Sequence, residues 1–256
     1  MGSLDGKIAV ITGCSGGLGK QIALRFAREG ASLAICARSA DKLATTAKEC
    51  ESLGAKVLSK PVDLTDQAQL EGFVKDIITT FGTIDVLVNN AVSISSPHSF
   101  LDHTEEELTT TWTSGFLATW RMMRLCFPYL KGKSSSIINF GSGSGDLGME
   151  GYAAYASTKE AIRGLSRVAA REWGQYGIRV NILSPSAVTE NVTAGLCALS
   201  DAEKQYVKDS LSQNPLRRPG DPYEDITPAA VFLASDASRW ITGQNLNVEG
   251  GGNIHA

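Results

Sequence analysis

The chain has 256 residues, 43% hydrophobic and 20% charged, with 24 Lys and Arg against 27 Asp and Glu for a formal net charge of −3. This globular composition excludes wholesale disorder, and the slightly acidic balance argues against a nucleic-acid partner, which needs clustered Lys and Arg. No apolar run approaches the roughly 18 residues of a spanning helix, so no membrane partner is expected, and residues 1–7 hold no apolar stretch of signal-peptide length. The five scattered cysteines (Cys14, Cys36, Cys50, Cys126 and Cys197) fit neither a disulfide framework nor a zinc pattern, so they read as reduced packing residues of a cytoplasmic protein.

Short β-rich runs alternate with longer helical patterns along the whole chain. The predicted strands are 8–12, 33–36, 56–58, 86–88, 136–140, 180–183 and 245–248, several of them apolar on both faces. Strands of that kind lie buried between two helix layers. Residues 19–30 carry helical periodicity through Ile22, Leu24, Phe26 and Ala27, with Gly30 as a left-handed stop, and 39–53 read as a second helix. Parallel neighbours need right-handed crossovers, so the pattern predicts an α/β fold: a Rossmann-type doubly wound, seven-stranded parallel sheet with helices on both faces. No linker or repeat interrupts the alternation, so residues 1–256 read as a single domain. Only 186–218 breaks the rhythm, as a lid over a site or as a surface excursion.

After the first predicted strand comes Thr12-Gly13-Cys14-Ser15-Gly16-Gly17-Leu18-Gly19. Glycines let the backbone turn sharply and approach a pyrophosphate, while a following helix N-terminus supplies N–H groups and partial positive charge. Strand, glycine turn and helix in this order point to a dinucleotide site. The second strand ends Cys36-Ala37-Arg38-Ser39, with no acid at 37 or 38 to hold a ribose 2′-hydroxyl. Arg38 suits a 2′-phosphate, with Ser39 beside it, so NADP is favoured over NAD; the alternatives are that Arg38 stacks on adenine or faces solvent.

Tyr155 and Lys159 stand four residues apart, hence on one face of a helix. A nearby ammonium favours phenolate and would bring the tyrosine hydroxyl toward the working pH range. Ser142 follows the fifth strand, where its hydroxyl can donate to a carbonyl oxygen gaining negative charge.

With these motifs the sequence resembles the classical short-chain dehydrogenase/reductase family over almost its full length. The matching text is Thr12-Gly13 through Gly19, Asp63-Leu64, Asn89-Asn90-Ala91, Ser142, Tyr155-x3-Lys159 and Asn181-x3-Pro185, then Asn214-Pro215-Leu216-x-Arg218, Ile241-Thr242-Gly243-Gln244 and Val248-Glu249-Gly250-Gly251. The resemblance implies an NADPH-dependent ketone or aldehyde reductase, reversible as a secondary-alcohol dehydrogenase. It implies that Ser142 polarises the carbonyl, Tyr155 exchanges the proton, and Lys159 tunes Tyr155 while bonding the nicotinamide ribose. It also implies cofactor contacts from Gly13, Ser15, Gly17, Leu18, Gly19, Arg38 and Ser39, from Asp63 and Leu64 at the adenine, from Asn90 under the adenosine ribose, and from the Val188 backbone at the carboxamide. A homotetramer is implied, with a homodimer as the smaller alternative.

Three departures stand out. Val92 follows Asn-Asn-Ala where the family usually has glycine. Ser186 follows Pro185 where glycine is usual, and Glu190 sits where a threonine often contacts the carboxamide, with Thr189 one place earlier. Gly115 stands at the family's helix asparagine, which supports a water chain to the lysine. A glycine-permitted helix irregularity with a backbone carbonyl holding the water, a partial substitution by Ser114, and a regulatory or non-redox protein on the same fold are the readings open at this point.

His98, His103 and His255 show no metal-pair spacing, so no metal is expected, and they read as surface or packing residues. Thr104 followed by Glu105-Glu106-Glu107 reads as a helix start. Trp112, Trp120, Met122 and Met123 read as core or interface, and Ser144, Met149, Tyr152 and Leu196 are pocket candidates by position alone.

Overall fold

A computed structural model of the chain describes residues 2–190 and 212–254. The seven strands are β1 (Ile8–Thr12), β2 (Ser32–Ala37), β3 (Val57–Pro61), β4 (Val86–Asn89), β5 (Ser135–Phe140), β6 (Ile178–Pro185) and β7 (Asn245–Val248). They form one sheet in the order β3-β2-β1-β4-β5-β6-β7, with every neighbouring pair parallel. The register pairs Thr12 with Cys36, Asn89 with Asn139 and Phe140 with Leu183, so the strands finish close together along one edge.

The crossovers are helices α1 (Gly17–Arg28), α2 (Ala40–Ser52), α3 (Gln67–Phe81), α4 (Glu105–Trp112), α5 (Ala118–Leu130), α6 (Gly143–Leu147), α7 (Ala153–Trp173) and α8 (Thr227–Ala234). Side chains alternate across each strand and sort into two cores. Ile11, Leu33, Ile35, Val88 and Phe140 meet Ile22 and Phe26 of α1, Leu43 of α2 and Val231 of α8 on one face. Val10, Ala34, Leu87, Ile137 and Val180 meet Leu70 and Phe73 of α3, Met122 and Met123 of α5 and Ala169 of α7 on the other. The sense in which successive strands are added to the sheet reverses between β1 and β4. In parallel sheets a crevice for ligands opens at the carboxyl ends of the strands at that point.

Predicted and observed strands differ mainly at their ends. β6 begins two residues earlier and runs to Pro185, because an interior strand tolerates Ser184 when that hydroxyl has a partner, here Asn245 Oδ1 at 2.7 Å. The helix predicted at 19–30 begins at Gly17, and that predicted at 39–53 is Ala40–Ser52. Thr104 and Glu107 form the expected capping box: Glu107 N–H donates to Thr104 Oγ1 (3.2 Å) and Thr104 N–H donates to Glu107 Oε2 (2.9 Å).

Between α4 and α5 the helix loosens into a π-helical turn, Thr113–Leu117, with Gly115 at its centre. Single π turns are local insertions in a helix and recur at functional sites. Cys14, Cys36, Cys50 and Cys126 are buried and unpaired, and burial pushes the thiols of Cys36 and Cys50 up to about 12, consistent with inert packing residues. Among the described residues no helix is long and apolar enough to cross a membrane. Most of the expected lid at 186–218, with Leu196 and Cys197, lies outside the described residues, as does His255.

Candidate active site

The carboxyl edge of the sheet opens into a cleft of about 840 Å³, lined from the loops after six of the strands: Gly13 and Gly17 after β1, Arg38 after β2, Asp63 after β3, Asn90 after β4, Ser142 after β5 and Ala187 after β6. Tyr155 and Lys159 enter from α7. This size matches a small-molecule or cofactor pocket.

The glycine turn is held open by geometry. Gly13 and Gly17 adopt φ +78° and +55°, in the left-handed region where a Cβ is disfavoured. Gly19 has a second reason to lack a side chain: a Cβ there would stand 2.3 Å from the Gly13 carbonyl oxygen and 2.6 Å from Asn90 Nδ2. Asn90 braces the turn, its amide donating to the carbonyl of Thr12 (2.9 Å) and of Gly13 (3.3 Å). The start of α1 has no side-chain cap and no acid in its first turn. Its first N–H groups and its dipole are therefore directed at the cleft, an arrangement suited to an anion. This turn fits the pyrophosphate of a nicotinamide dinucleotide. Glu190 leans over the same turn, 3.5 Å from where a Gly16 Cβ would stand.

Arg38 is exposed and shares the cleft with Ser39, Lys42 and Lys20. Asp63 accepts from Thr65 N–H (2.9 Å) and Thr65 Oγ1 (2.8 Å), and these bonds, with a smaller contribution from the Arg38 charge, hold its carboxyl below the usual carboxylate range. Leu64 and Ser15 also line the cleft. Leu18 packs against the core on the α1 side while reaching the cleft. Val188 does not line it, and its N–H is taken by the Gly220 carbonyl at 3.0 Å. The wall here comes from Pro185, Ala187, Thr189 and Glu190.

Ser142 caps α6, its Oγ accepting from Ser144 N–H (3.2 Å) and lying 2.8 Å from Ser144 Oγ. Asp146 of α6 is clamped to Arg163 of α7 and accepts from Asn253 Nδ2 at 2.9 Å, fixing the Ser142 segment against the helix that carries Tyr155. Lys159 is buried and donates to the Phe140 carbonyl at the end of β5, 2.7 Å away. Behind that carbonyl, Asn139 accepts from Asn89 Nδ2 and donates to Ser166 Oγ, both at 2.8 Å, which locks β4, β5 and α7 together.

The electrostatics differ from the expectation of a phenol made more acidic. Burial raises the Tyr155 hydroxyl above its ordinary value, and its hydrogen bond with Ser142 opposes this only in part. Burial also brings Lys159 down to about 7. Both groups are displaced toward their neutral forms because desolvation penalises either charge. Lys159 Nζ lies 5.4 Å from the Tyr155 ring centroid, one helical turn away, so the pair shares a compartment as the spacing predicts.

Gly115 and Val92 occupy the same space. A Cβ on Gly115 would meet Thr158 Cγ2 at 2.7 Å and Val92 Cγ2 at 3.0 Å. The Val92 side chain stands where a larger residue at 115 would have to go, so two of the departures are one packing solution. Ser114 does not take the vacated role through its hydroxyl, which accepts from Ser93 N–H (3.0 Å) and donates to Thr110 O (2.7 Å). Ser144, Met149 and Tyr152 do not line the cleft, although Tyr152 stands 6.3 Å from Tyr155, ring to ring. Met122 and Met123 are core, whereas Trp112 is partly exposed and packs on Phe116. Sequence patterning missed the walls supplied by Ile94, Thr45 and Ala187, which carry no chemical signature and enter through loop geometry alone.

Comparison with known proteins agrees with this geometry. A family model described as enoyl-(acyl carrier protein) reductase matches residues 13–253. A Clostridium protein named 12alpha-hydroxysteroid dehydrogenase is 42% identical, with 98% of each chain covered. A Staphylococcus aureus 3-oxoacyl-(acyl-carrier-protein) reductase is 34% identical over 96% of this chain and 97% of its own. The solved structure of a levodione reductase superposes with a TM-score of 0.91 at 26% identity, covering 96% of this chain and 97% of that one. The chain belongs to the classical short-chain dehydrogenase/reductase family, as an oxidoreductase acting on hydroxyl or carbonyl groups.

Proposed function

We propose that this chain is an NADP(H)-dependent ketone reductase, reversible as a secondary-alcohol dehydrogenase, and that its substrate carries the reacting oxygen on a bulky alicyclic skeleton. The observation that carries the reading is the meeting of Ser142, Tyr155 and Lys159 with an open glycine turn and Arg38 in one cleft. The substrate class is supported by the 42% identity to a hydroxysteroid dehydrogenase. The preference for the 2′-phosphate is supported by Arg38, Ser39 and Lys42 at a strand end that lacks an acid.

A nicotinamide held by this cleft supplies or takes up the hydride. Ser142 donates to the substrate oxygen. Ser144 Oγ, 2.8 Å away, can donate into Ser142 Oγ and leave the Ser142 hydrogen for the substrate. Tyr155 then gives its proton to that oxygen as negative charge develops. A buried phenol is held protonated until an alkoxide, far more basic than a phenolate, takes the proton. Lys159, near 7, takes up or releases a proton at neutral pH and so stabilises the phenolate left on Tyr155. We read residues 1–256 as one domain that assembles as a homotetramer, and the exposure of the large apolar Trp112 at the end of α4 supports an interface there.

The test measures NADPH and NADH binding by fluorescence, then oxidation of the tighter cofactor against hydroxysteroid ketones, other cyclic ketones and acyl thioesters. Tyr155→Phe is expected to keep cofactor binding and to lose about 10²- to 10⁴-fold in turnover, the range of a lost general acid. Retention of most activity by that variant would remove Tyr155 from the proton-donor role.

A further inference from the structure

Outside the cleft, among the described residues, one group of three side chains has the donor set of a metal site. His98, His103 and Glu107 bring a ligand atom each to within 4.8 Å of one another. The sequence hides the group, because the histidines are five residues apart in a loop and only His103 and Glu107 stand one helical turn from each other. The structure folds the loop after β4 back over the start of α4, bringing the two imidazoles together with centroids 4.1 Å apart and planes tilted by 40°.

The hydrogen-bond pattern leaves a position that needs positive charge. His103 Nε2 lies 3.2 Å from the Gly151 carbonyl oxygen. A carbonyl only accepts, so that nitrogen carries the hydrogen and Nδ1 of the neutral ring presents a lone pair. Nδ1 is buried without a hydrogen-bond partner, on a side chain only 8% exposed, and it faces Glu107 Oε2 at 3.8 Å. Two acceptors therefore point at each other across a gap too long for a hydrogen bond. Ligand atoms about 2.1 Å from a tetrahedral zinc ion stand roughly 3.4 Å apart, close to this separation. His98 Nε2 completes the set: its N–H donates to the same Glu107 oxygen at 3.1 Å, and a bound cation would take the place of that hydrogen.

The surrounding contacts are those that orient metal ligands. A ligating histidine usually donates its other ring N–H to a carbonyl or carboxylate, and the carboxylate ligand is itself hydrogen-bonded. His103 does the first through Gly151, and Glu107 does the second through Thr104 N–H at 2.9 Å. We infer that His98, His103 and Glu107 form a binding site for a divalent cation of the zinc type, with exchangeable water or another ligand in the remaining position. Two imidazoles and one carboxylate select zinc or its neighbours over magnesium, which prefers oxygen ligands in an octahedron.

The site would join two segments that flank the cleft. His98 N–H also donates to Gly151 O at 3.2 Å, and a Cβ on Gly151 would stand 3.1 Å from Pro97 Cβ. Residues 97–103 thus already rest on Gly151, four positions before Tyr155, while Val92, Ser93 and Ile94 at the other end of the loop line the cleft. A bound cation would fasten that contact.

The experiment uses the untagged, chelator-treated full chain at pH 7.5. Zinc is titrated by calorimetry, cobalt(II) is followed by its visible absorption as a coordination probe, and magnesium serves as the control. The expected result is saturable uptake of one zinc per chain, a cobalt spectrum of low-symmetry coordination including nitrogen, and a rise in melting temperature with zinc alone. His98→Ala and Glu107→Gln should abolish uptake. Glutamine keeps an acceptor for Thr104 N–H, so the helix cap survives and the metal-free melting temperature of that variant should stay near the parent's. Absence of saturable uptake by the parent chain overturns the inference. Undiminished uptake in both variants overturns it equally, since the ion then sits elsewhere.

Discussion

Alanine at position 115 should destabilise this protein, although the same change at an ordinary helical site would stabilise it by about 1 kcal/mol. The Cβ would arrive 2.7 Å from Thr158 Cγ2 and 3.0 Å from Val92 Cγ2, both inside van der Waals contact. Overpacking of this kind costs about 1–3 kcal/mol. Subtracting the propensity gain leaves a net loss of about 0–2 kcal/mol, with the steric part recoverable by removing the atoms responsible. Thr158→Ser deletes the nearer methyl and keeps the hydroxyl, whereas Val92→Ala deletes the farther one. In urea unfolding, Gly115→Ala should lower the midpoint in the parent chain, be better tolerated in the Val92→Ala background, and be best tolerated beside Thr158→Ser. The coupling between 115 and 158 should reach about 1 kcal/mol, well above the few tenths expected of independent sites. Additive effects, or a Gly115→Ala variant more stable than its parent, would refute the claim that Val92 and Thr158 fill the space at 115.

Gly19→Ala should impair folding and dinucleotide binding together, since its Cβ would meet the Gly13 carbonyl at 2.3 Å and backbone cannot swing aside as a side chain can; thermal unfolding and cofactor fluorescence measure the two effects. Arg38→Asp should reverse the cofactor preference, weakening NADPH by about tenfold or more while sparing NADH, as steady-state kinetics with each cofactor will show. Lys159 binds a proton more weakly folded, at about 7, than unfolded, near the ordinary lysine value of 10.5. The unfolded chain therefore holds more protons between those values, so this group makes stability rise with pH from about 7 to about 10, and the penalty for the buried ammonium is complete below 7. Lys159→Met should flatten that rise in chemical denaturation across the same window; an unchanged pH profile would show that the buried ammonium carries no penalty.

The architecture was legible because parallel strands between two helix layers leave a plain mark, and several runs, Ile8–Thr12 among them, are largely apolar on both faces. Ends were less legible. Ser135, Ser184 and Pro185 look like loop residues, yet they extend β5 and β6 because Ser135 Oγ donates to the Leu130 carbonyl at 2.7 Å and Ser184 Oγ to Asn245. The spacing of Tyr155 and Lys159 foretold a shared face, but not the sign of their proton affinities, which depends on burial rather than on order along the chain. The pairing of Gly115 with Val92, 23 positions earlier, and the gathering of His98, His103 and Glu107 arise from loop paths that no local pattern encodes.

The polar groups around the cleft come from the ends of six strands and from the helices beside them, while the residues that hold the sheet together sit below that edge in two separate cores. A change in one loop can therefore reshape one wall without shifting the others or slipping a strand. Selection for a new alcohol or ketone can proceed loop by loop on an unaltered foundation, and inherited variation should collect at the rim while the layers beneath it change slowly.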